Sequence, residues 1–382
     1  MPASAKQKRV YRARSPRKTT AIVAKGKSTV SFKSDILTHE IMKALRDPDT
    51  YTHDKERGLA EHTHTFLQNA KGSIILSIKP LENEGWETVL SALSTLGDGC
   101  IDTYIATLAI AHEHNGTDQI REPFHISPDD ILEVCGKKKS HGSYNPGQRA
   151  EVMKHLKTLS QARVIATLTG NPCAPKKRGP KRKGAGTSDP TVMSAEGALI
   201  DFLSFKIGEY STITGEEVWE KRRIAIGEWV TMIPHFCNQT AIMLRQVLAF
   251  SAKNERYQKR LGLYLTFMFR INAKNGGVFK CSLAALLEGA GIVVPRERGQ
   301  FKEAIEYALQ VLKRENVMSN YEQIVGAGPA WQLIQKEIHE RARGWWEKYA
   351  AIEWRFSSPD YAREQYRNLL KASTERMKDT NN

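Results

Sequence analysis

Two histidine pairs in this chain have a spacing that could hold a metal ion, His62-Thr63-His64 and His112-Glu113-His114. On a β-strand residues i and i+2 share a face, so such a pair can offer two imidazoles to one divalent cation. The chemistry would be metal-assisted nicking of a phosphodiester. The second pair closes a helical pattern, where i and i+2 point to different faces. Histidines at a helix carboxyl end are better explained by the helix dipole. Gly26-Lys27-Ser28 copies the end of a phosphate-binding loop, but Ala21 stands where an earlier Gly is required, and no apolar strand precedes it. With no nucleophile elbow and no paired carboxylates in a catalytic setting, the chain does not read as an enzyme. No metal and no cofactor is expected.

The cationic groups point elsewhere. The 382 residues carry 57 Lys and Arg against 42 Asp and Glu, a formal charge of +15. Residues 1–34 contain ten of the bases and no acid, and residues 171–188 contain six more, again without an acid. Those six are Lys176, Lys177, Arg178, Lys181, Arg182 and Lys183. Together the two segments exceed the net charge, so the rest of the chain is slightly acidic. Confined positive charge of this kind suits polyanion binding by counterion release, in which each phosphate contact adds affinity without reading sequence. Lys176-Lys-Arg-Gly-Pro-Lys-Arg-Lys183 faintly resembles the AT-hook, which lies in narrow A·T minor grooves. It departs from that motif at Lys181, where an Arg normally follows the Pro. Basic, Pro- and Gly-rich stretches also occur as solvated linkers.

The elements that would present these charges repeat. Phe124-x-x-Ser127-x-x-x-Ile131-Leu132-Glu133-x-x-Gly136 returns without a gap as Phe279-x-x-Ser282-x-x-x-Leu286-Leu287-Glu288-x-x-Gly291, 155 residues later. Upstream, Tyr104 and Asn115-Gly116 match Tyr264 and Asn275-Gly276; downstream, Gly147-Gln148 matches Gly299-Gln300. The spacing is too long for a solenoid period and reads as one domain duplicated in tandem.

Each landmark has a physical role. Ser127 and Ser282 sit where a helix N-cap belongs, and Pro128 takes the first helical position. Gly136 and Gly291 come one short helix later, where the chain must leave through a left-handed conformation. A turn and a longer amphipathic helix follow. In the first copy the helix covers 148–161, with Val152, Leu156 and Leu159 at helical spacing. In the second it covers 300–314, with Ala304, Ile305, Ala308 and Leu312 on one face. Strand patterns run out over 163–169 and back over 198–207 in the first half. In the second half they run over 317–324 and 352–356. Helix, short strand, helix, turn, helix and β-hairpin is the order of a winged helix, which places its reading helix in a major groove. The expected fold class is α+β, predominantly helical: two tandem winged helices behind a disordered basic amino-terminal arm.

The expected organisation is an arm over 1–34 and a lead-in helix and strand over 35–84, the helix starting at Asp35, a polar stretch following it and the strand covering 73–78. The first winged helix spans 85–235, with entry helices over 86–96 and 102–113 and a basic insertion, 171–197, in its wing. The second spans 236–372, with entry helices over 238–250 and 254–272 and a helical insertion, 330–350, in its wing. Residues 373–382 form a disordered tail. Length suffices for two domains with real cores. No apolar run reaches the eighteen or so residues that cross a bilayer, and the basic amino terminus lacks the apolar segment of a secretory signal. Five scattered cysteines, Cys100, Cys135, Cys173, Cys237 and Cys281, suit a reducing compartment. A cytoplasmic protein with no membrane partner is expected.

This arrangement resembles the replication initiator proteins of iteron-bearing plasmids, over roughly residues 70 to 370. In that family two winged helices bind one repeated duplex site, dimers repress, and monomers melt the origin and recruit the host helicase. The resemblance implies a double-stranded DNA partner, with self-association and host replication proteins as further partners. It implies base and phosphate contacts from the start of each long helix and the turn before it. In the first copy these are Lys138, Lys139, Ser143, Asn145, Gln148 and Arg149, with Lys154 further along. In the second they are Arg296, Arg298, Gln300 and Lys302. Arg matches guanine and Asn or Gln matches adenine by paired hydrogen bonds. The two insertions depart from the family pattern.

Other classes compete. A transcriptional or nucleoid regulator would bind in the same way without opening DNA. A protein-interaction adaptor is a further alternative, since the second long helix carries Glu303 and Glu306. A nickase of the rolling-circle kind has a hydrophobic residue between its histidines, where this chain has Thr63 and Glu113, and it is the least favoured.

Overall fold

The computed structural model describes residues 29–66, 71–80, 85–116, 119–169, 192–203, 222–227, 230, 240–326 and 328–379. They form an α+β fold in which helices pack around several small antiparallel sheets. The bases at 6–27 and all six at 176–183 lie outside the described residues, as does Gly26-Lys27-Ser28.

The chain enters as β1 (Thr29–Lys33) and α1 (Ile36–Ala44), whose N-cap Asp35 accepts from the Thr38 backbone N–H at 2.8 Å. Three strands follow, β2 (Thr52–Asp54), β3 (Leu59–Phe66) and β4 (Lys71–Ile78). Then come α2 (Trp86–Ser94) and α3 (Asp98–Asn115). Residues 98 to 111 of α3 are buried on almost every side. The small residues Gly99, Ala106, Ala109 and Ala111 let neighbours approach this helix closely, and β1, β5, α4 and α5 all pack on it.

The first copy of the duplicated motif folds as β5 (Phe124–Ile126), α4 (Pro128–Val134) and α5 (Pro146–Gln161). The chain then passes directly into β6 (Ala162–Thr169). After the basic segment come β7 (Val192–Ala198), β8 (Ile200–Phe202) and β9 (Arg222–Ile226). Next, β10 (Thr240–Leu244), α6 (Arg245–Ala249) and α7 (Arg256–Ile271) lead to the second copy. That copy is β11 (Val278–Ser282), α8 (Leu283–Gly289) and α9 (Arg298–Arg314). Then follow β12 (Asn320–Gln323), α10 (Pro329–His339), α11 (Trp345–Ala351), β13 (Glu353–Ser357) and α12 (Asp360–Asp379).

The two halves share a sheet order. The small sheets run β5-β9-β8 and β11-β13-β12, all antiparallel, so in each the last strand inserts between the first two. The local geometry repeats as well. Ser127 Oγ accepts from Asp130 N–H and Ser282 Oγ from Ala285 N–H, both at 3.2 Å. Gly136 and Gly291 both have φ +64°. Gly136 N–H and Lys137 N–H donate to the carbonyls of Glu133 and Leu132 (3.0 and 2.9 Å), and Gly291 and Ile292 do the same to Glu288 and Leu287 (both 2.9 Å). This double closure satisfies the last carbonyls of each short helix.

Several expectations need correction. Residues 163–169 are not the outgoing strand of the first small sheet. They form β6, paired on one side with β4 and on the other with β7, inside a five-stranded sheet β2-β3-β4-β6-β7. The basic insertion therefore joins β6 to β7 of that sheet. The strand that answers β12 is β8, which continues β7 beyond a bend at Leu199. The amino terminus is not all arm: Thr29–Lys33 pairs with Leu244–Thr240. Residues 240–244, expected inside an entry helix, supply that partner. Residues 52–66, expected as a polar stretch, carry two strands. The insertion near 330–350 is two helices, broken between Glu340 and Gly344 where Arg341 and Gly344 adopt positive φ. The last helix runs to Asp379 through most of the expected tail.

The halves are held together through α3 and α7. Asp98 and Asp102 of α3 meet Arg260 and Lys259 of α7 at 2.9 and 2.7 Å. Arg46, after α1, reaches Asp98 at 3.4 Å and donates to the Ala290 carbonyl, while Arg260 donates to that of Gly291.

Candidate nucleic-acid interface

In the first half, α4 and α5 enclose an eleven-residue connection in which Ser140 and Ser143 form a tight turn. Its buried anchor is Tyr144, only 3% exposed, and the Lys139 ammonium lies 5.1 Å from that ring. Lys138, Lys139, Ser143 and Asn145 are all exposed, as is Lys154 two turns into α5. These side chains share the connection and the outer face of α5. The tyrosine beneath them gives no distinctive sequence signal other than an aromatic in a polar loop.

Three of the expected reading groups have structural work of their own. The Asn145 carboxamide oxygen accepts from the Gly147 N–H at 2.7 Å, and Gln148 Oε1 accepts from the Asn145 N–H at 3.3 Å. This is a capping box that satisfies free N–H groups at the start of α5. It leaves the Asn145 amide nitrogen as a donor but commits the oxygen that a two-point adenine contact requires. Arg149 is forked onto Asp129 of α4, Nε at 2.6 Å and Nη2 at 2.8 Å, and this carboxylate raises the guanidinium pKa further. The pair sets α5 against α4.

In the second half, α9 starts beside the inserted helices. Arg298 Nη1 lies 2.6 Å from Glu347 Oε1 of α11, and Lys302 lies 3.0 Å from Glu306 and 5.2 Å from the Tyr349 ring. Tyr349 donates to Glu306 at 2.8 Å. The Phe301 ring packs against that of Trp346 in a tilted arrangement, centroids 5.5 Å apart. Arg296 and Gln300 are exposed. The outward stripe of α9 is Gln300, Glu303, Tyr307, Gln310 and Arg314, more polar than basic. The covering helices are legible in the sequence as an insertion, but their position over the start of α9 is not.

The histidine pairs fall on different surfaces. His62 and His64 share a face of β3, as strand spacing requires, but His62 Nδ1 bonds Thr50 Oγ1 at 2.9 Å and His64 Nε2 approaches Glu40 Oε2 at 3.3 Å. His112 and His114 end α3. Among the described residues, no three His, Cys, Asp or Glu side chains are grouped to hold a metal ion. No helix of the described residues is long and apolar enough to cross a membrane.

No family model matches the chain, and no curated protein matches it in sequence. Among solved structures it is similar to a crystal structure of RctB domains 2-3 (RctB-155-483). The identity is 12%, the TM-score 0.42, and the match spans 85% of this chain and 98% of that one. A second, the selenomethionine derivative of domain 2 and domain 3 of RctB, matches at 16% identity and TM-score 0.37, over 71% and 83%. These likenesses are loose, and no residue role rests on them.

Proposed function

We propose that this chain is a sequence-selective double-stranded DNA-binding protein built of two winged helices, and that it acts as a replication initiator of the plasmid type. One observation carries the reading. Two segments 155 residues apart repeat the same cap, the same left-handed exit and the same sheet order, each followed by a longer helix after a turn. In a winged helix that longer helix reads a major groove and the hairpin lies alongside. The bases at 176–183 and in the amino-terminal arm would contact phosphates without reading sequence. Chemistry on DNA forms no part of the proposal.

Within the first unit, Lys138, Lys139 and Lys154 are the main phosphate or base contacts, with Ser143 and the Asn145 amide nitrogen as donors. Arg149 and Gln148 position α5. In the second unit Arg296 and Gln300 are open to DNA, while Arg298 and Lys302 must first exchange their carboxylates.

The test is selection of binding sites from a pool of random duplexes by the full chain, followed by salt titration of the selected site. Selection of a repeated motif spanning successive major grooves is expected. Replacing Lys138, Lys139 and Lys154 with Ala should reduce the slope of log K against log salt by about 3. R296A/Q300A should cost about 1–3 kcal/mol at the preferred base and relax specificity there. Affinity without sequence preference would remove the selective reading. Origin-dependent replication then separates an initiator from a regulator that binds alike.

The polar outward stripe of α9, with Tyr307 56% exposed, favours a second reading for the second unit as a protein-contact surface. In that case R296A/Q300A leaves DNA selection unchanged, and only the first-unit substitutions alter it.

A further inference from the structure

The helices inserted between β12 and β13 are fixed to the second unit by an aromatic cluster. Trp346 packs tilted against Phe301, Tyr349 lies edge-on to Trp354 at 6.4 Å, and α11 packs on α8. The turn between them therefore has a fixed place beside the first turn of α9. It carries Arg341 and Arg343.

Arg341 has φ +52°, a left-handed conformation rare for a residue with a Cβ. Strain of this kind persists only where the surroundings enforce it, and it concentrates at sites of function. Its guanidinium lies across the first turn of α9: a Cβ on Gly299 would come within 2.6 Å of Nη1, so Gly at 299 is what admits the arginine. Arg341 Nη2 is 3.2 Å from Glu303 Oε1, in a pair whose side chains are 56% and 69% exposed. Arg298 makes the matching contact with Glu347, again between exposed side chains. Arg343 follows two residues after Arg341 and is exposed, and Arg296 precedes Arg298 by two.

We infer that the Arg341–Arg343 turn and the first turn of α9 form one grip for the phosphate backbone of duplex DNA. Glu303 and Glu347 occupy the guanidinium groups until phosphates displace them. This rests on the DNA-binding reading given above. A guanidinium fork fits carboxylate and phosphate alike. An exposed carboxylate pair contributes little stability, so exchange for a doubly contacted phosphate is cheap. The insertion is then a working part of the interface. It contributes position and affinity, and sequence is read elsewhere.

The experiment is fluorescence anisotropy of the full chain with a labelled random-sequence duplex across a salt series. R341A/R343A should weaken binding about tenfold at low salt and reduce the salt slope by about 2. E303Q/E347Q should tighten binding several-fold, whereas E56Q/E87Q, on the surface of the first half, should leave it within about twofold. Arg341→Gly relieves the left-handed strain, so it should retain or raise Tm while still weakening binding. A purely structural arginine would lose both together or neither. Wild-type affinity and slope in R341A/R343A, with the parent chain binding normally, overturn this inference alone. A parent chain with no salt-dependent duplex affinity overturns the DNA-binding reading and this inference with it.

Discussion

The ammonium of Lys259 donates to both carboxylate oxygens of Asp102, at 2.8 and 2.7 Å, and its third N–H goes to the Leu248 carbonyl at 2.8 Å. Neither side chain is more than 7% exposed. Every donor of one buried cation is thus satisfied, two by α3 of the opposite half and one by α6, the helix just before its own. Burial pushes the Asp102 carboxyl above the usual carboxylate range, and Lys259 opposes that push.

Removing one partner strands the other charge in the interior. D102A and K259A should each cost about 3–5 kcal/mol, whereas the apolar double replacement D102L/K259M should cost less than either. Urea unfolding followed by circular dichroism checks this. Equal losses for the double and single variants would mean that the pair's charge is not what the interface depends on.

The two left-handed glycines should differ in cost. An alanine at either pays about 1–2 kcal/mol for its conformation. At 136 its Cβ would meet Ala249 Cβ at 3.0 Å, but at 291 it would meet Arg46 Nη1 at 2.4 Å. Arg46 also holds Asp98 and the Ala290 carbonyl. G291A should therefore lower Tm more than G136A, by differential scanning calorimetry.

Burial pushes the His155 imidazole down to about 4, and Lys154 adds to the effect. The folded value lies below the unfolded value of about 6.5, so the native state favours the neutral ring. This contribution is complete above about pH 6.5, is lost as pH falls toward 4, and is worth about 3 kcal/mol. His39, lowered well below its ordinary value mainly by burial, acts in the same direction. H155Q should lie below the parent chain in Tm near pH 7.5, and the gap should narrow near pH 5. A constant gap would show that the ring does not titrate there.

Asn145 should behave first as a cap. N145S keeps a side-chain acceptor for the helix start and should stay within a few tenths of a kcal/mol. N145A should cost about 1 kcal/mol. Thermal melts measure both, and anisotropy on the same proteins reports whether N145S also loses the amide donor's contribution to DNA affinity.

The duplicated cores are legible in the sequence because Ser127, Gly136, Ser282 and Gly291 are local signals: a cap and a left-handed exit need only their own few residues. The sheets are less so. Residues 163–169 alternate as any antiparallel strand would, and nothing within them names β4, some ninety residues earlier, as the partner. Thr240–Leu244 is equally ambiguous until Thr29–Lys33 supplies its ladder from the opposite end of the chain. The site is legible as a set of residues and not as a set of roles. Asn145 and Gln148 have capping spacing as well as base-reading chemistry, and only geometry shows that the cap takes the oxygen. Arg341 leaves no local signal, because its position depends on Gly299 and an aromatic cluster drawn from three elements.

Helix α5 passes into β6 without an intervening residue, and β7 turns into β8 at a single residue, Leu199. The strand pair β6–β7 is thereby tethered at one leg to the first unit's long helix and at the other to its small sheet. A displacement of those two strands along their own direction is passed to α5 with no loop to absorb it.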